Sequence, residues 1–488
     1  MMHVALLVAL AAGPPRSSAA PPQYAHSPFA FTVSVPRADP RAAAMLLLGD
    51  LDDDGETDYL LMSDAGTAAY GHDGRPLWTC RVPPRYNARE PADWVRDDPD
   101  ALRPMQSDLH GVVADVDADG HNEFVFLDRT GYQVVVLAGA TGREERRIDL
   151  RAVFGAARPF THVCAGRLFR RGEDSSLVVV SHFVHVPFQG KDSVLAFDYR
   201  DPSPARFWRH DDLFGASYAP ARVVDLDGDG WDEVLTGLEA FDRRGRLLWR
   251  VDGKSDQYTT LQVGDLLPAP GLEAIVGEYG HAGTDRGLYV NGAGRQGRPG
   301  VAERLELSQN THSAMIGHFL AGKRTGQALL RSNTHTGRED VRDHRLLDLT
   351  APPERREIAV PRLDTLWKDN AEEGRAMAEY PRPIDWDGDE EMAILAVERH
   401  VPNPRASVHR WRTGERIATM DRRGMMEAGV RVCDVSGDGR EEVLVWNARE
   451  VAVYFDEAPS RRPDAPIRRR DRLYRRLKSA GNVLYNPP

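Results

Sequence analysis

Short apolar runs alternate with acidic, glycine-containing loops along most of the chain. Residues 224–235 show the unit most completely. Val224 leads in, and Asp225, Asp227 and Asp229 follow at alternate positions. Gly230, Glu233 and the apolar pair Val234 and Leu235 complete it. Apolar runs this short, broken by aspartate and glycine, predict strands rather than helices. The unit is a strand, a tight loop and a second strand.

The unit recurs, and self-similarity at a spacing of tens of residues signals a repeat architecture. Asp50, Asp52, Asp54, Gly55 and Asp58 form one copy; Asp115, Asp117, Asp119, Gly120 and Glu123 form another. Asp434, Ser436, Asp438, Gly439 and Glu442 form a copy with a hydroxyl replacing one acid. Asp385, Asp387, Asp389 and Glu391 form a shortened copy that lacks the glycine after the third acid. Three more stretches keep the apolar frame but lose most or all of the acids. They lie around Asp265, around Arg167 and around Gly317. The first-acid positions, or their equivalents, are 50, 115, 167, 225, 265, 317, 385 and 434, at intervals of 40 to 68 residues. That is about one four-stranded blade per interval. The expected fold is all-β: an eight-bladed β-propeller over residues 21–460, with seven blades as the alternative. Residues 28–36 alternate apolar and polar ahead of the first loop. They are expected to form the outermost strand of the last blade, which closes the ring and removes an exposed sheet edge.

Alternating carboxylates in a tight turn can converge on one hard cation. The glycine permits the turn, and the later acid completes an oxygen cage. Calcium is the expected cofactor. Its expected ligands are Asp50, Asp52, Asp54 and Asp58; Asp115, Asp117, Asp119 and Glu123; Asp225, Asp227, Asp229 and Glu233; Asp385, Asp387 and Asp389; and Asp434, Asp438 and Glu442.

The Asp-x-Asp-x-Asp-Gly-x-x-Glu loop between two short strands resembles the FG-GAP/VCBS repeat of integrin-type β-propellers, over roughly residues 45–457. The opening at residues 312–317, with His312 and Gly317, resembles more narrowly the secreted propeller polysaccharide lyases of the rhamnogalacturonan lyase type. So does the tail from Leu473 through Tyr474, Lys478 and Asn482. The first resemblance implies the propeller. The second implies a lyase that acts on an acidic polysaccharide.

Composition changes this picture little. The net charge of −11 falls partly on the acidic loops, where bound cations would cancel it, and it argues against a nucleic-acid-binding body. Residues 1–20 read as a signal peptide, with an apolar run over 4–12 and small residues over 17–20. The protein is expected to be secreted or periplasmic. No later run reaches the ~20 apolar residues of a membrane span. Cys80, Cys164 and Cys433 are an odd number and read as small buried residues. The connections over 84–109, with Trp94, and over 351–380 are long enough to be functional. The basic stretch 461–478 is expected to pack on the acidic propeller, and the protein to be a monomer.

The innermost strands of a propeller line its axis, so their starts gather at one mouth. The acidic loops follow those strands and lie on the opposite face, which gives them a structural role. Chemistry is therefore expected at the first mouth. The strand starts there carry His110, His162, Tyr218, Tyr258 and His312. Loops expected on the same face add Lys191, His281, Arg286, His335 and Arg338. A lyase that cleaves a uronate by β-elimination must neutralise the carboxylate, remove the proton on C5 and protonate the leaving oxygen. His110 or His312 suits the base, and Tyr218 or Tyr258 the acid. Arg286, Arg338 or Lys191 suits the carboxylate. His162, His281, His335 and Trp94 are expected to bind substrate. A non-catalytic carbohydrate-binding or adhesion propeller is the alternative, and it would use the same face without a base.

Overall fold

A computed structural model describes residues 23–24, 29–40, 42, 44–85, 111–181, 192–213, 221–251, 257–268, 270–279, 287–292, 302–307, 313–323, 325–331, 344–360, 377–389, 391–399, 406–420, 430–458, 460–461, 471–472 and 474–475. They form eight antiparallel sheets in chain order, the blades of a propeller. The first strand of each blade is Met45–Gly49, Gly111–Ala114, His162–Gly166, Arg222–Val224, Gln257–Gly264, Ser313–Gly317, Met377–Ile384 and Val430–Cys433. The first strands of blades 1 to 7 each touch the corresponding strand of a neighbouring blade, which places them on the inner wall of the channel.

Glycine closes several of these inner strands for a steric reason. A Cβ at Gly49 would lie 2.6 Å from the Cβ of Val113 in the next blade, and one at Gly317 would lie 2.5 Å from the Cβ of Pro383. The inner strands approach too closely there for any side chain. Alternate residues of each strand face the two neighbouring blades, so the core is a series of interblade layers. One layer joins Val125 and Val136 of blade 2 to Val163, Leu177 and Val179 of blade 3. Another joins Leu444 and Val451 of blade 8 to Leu46 and Leu61 of blade 1. Apolar area removed from water between blades drives the assembly.

The ring closes as the alternating pattern of residues 28–36 predicts. Phe29–Thr32 is the outermost strand of blade 8 and pairs antiparallel with Glu450–Tyr454. Phe31 packs on Tyr59 and Tyr70 of blade 1, at 5.0 and 5.7 Å between ring centroids, so one strand ties the last blade to the first. A parallel fifth strand on blade 7, Gln23–Tyr24, has no counterpart in the sequence reading. Two residues are too short to show a period. The connection over 351–380 carries strand in its described parts. It holds the outer strand of blade 6, Glu357–Ala359, and the start of Met377–Ile384. All three cysteines are buried, and none is in a disulfide.

The channel between the inner strands of blades 1 to 4 encloses a cavity of about 290 Å³. The C-terminal segment lies across its acidic-loop end. Arg472 holds Asp174 of blade 3 at 2.7 Å and Asp232 of blade 4 at 2.7 Å. Two residues on, the Tyr474 hydroxyl accepts the Asp434 N–H at 2.8 Å and donates to Glu441 at 2.9 Å, both in blade 8. Asp232 is fully buried, so removing its cation is costly. Arg472→Met is expected to destabilise the protein by about 3 kcal/mol, read as a lower midpoint in urea unfolding.

Blade 7 contains a titrating group away from the channel. His409 Nδ1 lies 3.2 Å from the Gly414 carbonyl and Nε2 lies 2.8 Å from the Ser407 hydroxyl, a pairing that suits the neutral ring. Burial pulls its pKa down to about 4. Its contribution to stability is therefore present above the unfolded pKa of about 6.5 and is lost as the pH falls towards 4. On the order of 3 kcal/mol is at stake. The His409→Gln variant is expected to lose less stability between pH 7 and pH 4 than the parent in parallel urea titrations.

Candidate functional site

The acidic loops are built from backbone outward. In blade 4 the Asp225 carboxylate accepts N–H groups from Gly228, Asp229 and Gly230 at 2.8–3.1 Å. Asp227 accepts from Asp229 at 3.1 Å, and Asp229 from Trp231 at 2.8 Å. Gly55, Gly120, Gly230 and Gly439 occupy the same register with φ of 84° to 93°. That left-handed conformation explains the glycine in the motif.

The last acid of the motif has a structural duty. Asp58, Glu123, Glu233 and Glu442 each accept the N–H of the residue after the first acid, at 2.7–2.8 Å. The acid-poor blades keep this strap. Glu273 accepts from Leu266, Gln327 from Phe319 and Ser176 from Leu168. The strap also corrects one register: the first-acid equivalent of blade 6 is His318, not Gly317. The same position accepts a hydrogen bond from the next blade. Gly326 N–H donates to Asp265 O at 2.7 Å, Met392 N–H to His318 O at 2.8 Å and Glu441 N–H to Asp385 O at 2.8 Å. These bonds link the loops of blades 5 to 8 in series.

Among the described residues, four loops bring three carboxylates together with ligand oxygens within 4.8 Å of one another. They are Asp50, Asp52 and Asp58; Asp115, Asp117 and Glu123; Asp225, Asp227 and Asp229; and Asp434, Asp438 and Glu442. Burial pushes Asp50 up to about 6, Asp58 to about 7, Glu123 and Glu442 to about 8 and Glu233 to about 9. In blade 1, one oxygen each of Asp50, Asp52 and Asp58 is buried without a hydrogen bond. Converging, desolvated oxygens of this kind suit a hard divalent cation. Asp54 turns outward to His72 at 3.2 Å. Asp119 accepts the His121 N–H at 2.8 Å. The shortened loop of blade 7 differs. Arg410 pairs with Asp387 and, at 2.9 Å, with Asp389, and Arg461 reaches the same two acids at 3.6 and 3.4 Å. Asp385 O takes part in the interblade links. Guanidinium groups hold the carboxylates there, and the missing glycine was the sequence signal for the difference.

At the opposite mouth, His162 begins the inner strand of blade 3. It is only 2% exposed, and its Nδ1 lies 2.7 Å from the Thr161 hydroxyl. The ring is enclosed by the blade rather than displayed to the funnel. Tyr258 is the second residue of Gln257–Gly264, and its backbone pairs with Glu278. Trp94, His110, Lys191, Tyr218, His281, Arg286, His312, His335 and Arg338 lie outside the described residues. Sequence reasoning passed over three arginines on inner strands, Arg222, Arg382 and Arg431, of which Arg222 lines the cavity. Each stands three residues before a first acid, and that fixed offset could have revealed them.

No protein-family model matches the chain. The chain is 25% identical to the rhamnogalacturonan endolyase YesW of Bacillus subtilis (strain 168) over 273 residues, 47% of this chain and 42% of the relative. It is 25% identical to the rhamnogalacturonan exolyase YesX of the same organism over 316 residues, 54% of this chain and 50% of the relative. The match thus spans half or less of the length of each relative. The fold is similar to the crystal structures of YesX and YesW, each with a TM-score of 0.60 and 18% identity. These superpositions cover 93% and 94% of this chain and 80% of each structure. The biofilm matrix protein Bap1 of V. cholerae is also similar, with a TM-score of 0.50 and 11% identity over 90% of this chain and 91% of that structure. The chain shares its β-propeller fold with these proteins.

Proposed function

We propose that the chain is a secreted polysaccharide lyase that cleaves a uronate-containing polymer, of rhamnogalacturonan or rhamnose–glucuronate type, by β-elimination. The observation that carries this reading is the sequence similarity to two rhamnogalacturonan lyases over about half the chain. In the reaction a base takes the proton from C5. The C–H electron pair becomes the C4–C5 double bond, the C4–O bond breaks, and the departing oxygen receives a proton. His110 or His312 serves as base and Tyr218 or Tyr258 as acid. Arg286, Arg338 or Lys191 lowers the cost of the carbanion by neutralising the carboxylate. The acidic loops bind calcium, which stiffens the ring of blades and takes no part in the chemistry. Mass spectrometry of the products tests the reading. Lyase fragments are lighter by one water than the hydrolysis products of the same polymer. Fragments of hydrolytic mass would contradict β-elimination. Similarity to a biofilm matrix protein favours a second reading, a calcium-stabilised binding or adhesion propeller that leaves the polymer intact.

A further inference from the structure

Blade 2 carries a basic surface on the face where the inner strands begin. The blade is an antiparallel meander, so the turn after its second strand and the helix after its fourth both lie on that face. The turn is residues 128–132, between Glu123–Leu127 and Gln133–Ala138, and the helix is Leu150–Phe154, directly after Glu144–Asp149. Residues 83–85, 128–132 and 149–161 together hold four arginines and two aspartates. The corresponding turns of blades 1 and 4, residues 64–65 and 236–238, hold no cation, so the blade scaffold does not require one.

Backbone hydrogen bonds fix this surface. Leu150 N–H donates to the Tyr132 carbonyl at 2.9 Å, and Phe160 N–H to that of Gly131 at 2.8 Å. Arg129 N–H donates to the Pro83 carbonyl at 2.9 Å. The helix buries Leu150 and Phe154 and turns Arg151 and Val153 outward, with Val153 46% exposed. Tyr132 packs on the core between blades 2 and 3, and the Arg151 guanidinium lies 3.4 Å from the centre of its ring. Such a contact uses the flat face of the guanidinium and leaves its N–H edges for a ligand. The two aspartates are engaged by neutral donors. Asp149 accepts the Arg151 and Ala152 N–H groups at 2.9 and 3.0 Å, and the Gln133 side chain at 2.9 Å. Asp128 accepts the Thr130 hydroxyl at 2.7 Å and the Gln133 N–H at 3.1 Å. Arg129 and Arg151 are exposed, and among the described residues neither forms an ion pair.

We infer that Arg129 and Arg151 form a binding subsite on blade 2 for the carboxylates of an acidic polysaccharide, outside the ring of inner strands. The guanidinium fork matches a planar carboxylate, and Val153 offers contact to the apolar C–H face of a sugar ring. Tyr132 is a positioning residue that holds Arg151 in place. The inference rests on the reading that the ligand is an acidic polysaccharide, and not on turnover. The net charge of −11 disfavours nucleic acid as the occupant.

The test is affinity gel electrophoresis of the full-length protein in the cold, with de-branched rhamnogalacturonan or a rhamnose–glucuronate polymer in the gel. At least one of these is expected to retard the parent, and the same polymer with its carboxyl groups reduced to alcohols is not. Arg129→Gln combined with Arg151→Gln is expected to weaken binding roughly fivefold, at the scale of two exposed charge pairs, with an unchanged Tm. Arg151→Lys should retain part of the affinity. Tyr132→Phe should bind like the parent, whereas Tyr132→Leu should weaken binding, but not further once Arg151 is already glutamine. Equal retardation of parent and double variant overturns the subsite and leaves the acidic-polysaccharide reading standing. No retardation of the parent by either acidic polymer overturns both. A double-stranded DNA oligonucleotide that binds more tightly than the polymers, and loses affinity in the double variant, assigns the surface to nucleic acid and overturns the proposal. Should the double variant fail to fold, Arg129→Gln alone decides by the same criteria.

Discussion

Replacing both His110 and His312 with alanine is expected to lower turnover of an acidic polysaccharide by about 10²–10⁴-fold, the usual contribution of a positioned general base. Affinity for the same polymer should change far less, because a base acts mainly in the transition state. The single variants then separate the roles. The substitution that accounts for nearly all of the loss marks the base, and its partner serves binding. Initial rates and equilibrium binding, measured on the same preparations, give the two readouts. Under the adhesion reading there is no turnover to lose, and the variants only weaken binding. In the sequence His110 directly precedes the strand Gly111–Ala114, and His312 directly precedes Ser313–Gly317.

Removal of divalent cations is expected to have the second large effect, on stability. Four loops each gather three carboxylates around a point, and burial alone would leave several of those groups protonated near neutral pH. A cation that binds only the folded state stabilises it by about 2.7 kcal/mol per site at a hundred times its dissociation constant. Four such loops therefore predict a fall in Tm of roughly 10 °C or more in excess chelator. Calcium should reverse it. Asp225→Asn combined with Asp227→Asn should remove the share of one loop and leave the other three responsive. An unchanged melting curve in chelator would remove the cation from the account. Blade 7 should be indifferent to chelation, because Arg410 and Arg461 already neutralise its acids.

Much of the fold was legible because the loop chemistry is local. Asp-x-Asp-x-Asp-Gly demands a left-handed glycine and a strand on either side, so each intact copy located an inner strand directly. The final acid was visible as well, although its role as a backbone strap shows only in three dimensions. Blade 6 was misplaced by one residue because it lacks acids, and Gly317 stood out while His318 did not. The strand Gln23–Tyr24 left no signal. Less of the candidate site was legible. Strand starts could be counted along the chain, but burial could not, so His162 read as a mouth residue when its ring is enclosed. Arg222, Arg382 and Arg431 carry no motif, and each looked like an ordinary polar break in an apolar strand. Their shared offset of three residues before a first acid was the one sign that they occupy equivalent positions.

The most direct test of the lyase account is ultraviolet absorbance in the band of unsaturated uronates, during incubation of the purified protein and calcium with a panel of acidic polysaccharides. The account predicts a steady rise with at least one rhamnose-containing polyuronate, which would identify both the reaction and the substrate class. A flat trace on every polymer, together with measurable binding to one of them, would contradict it and leave a propeller that holds its polysaccharide without cutting it.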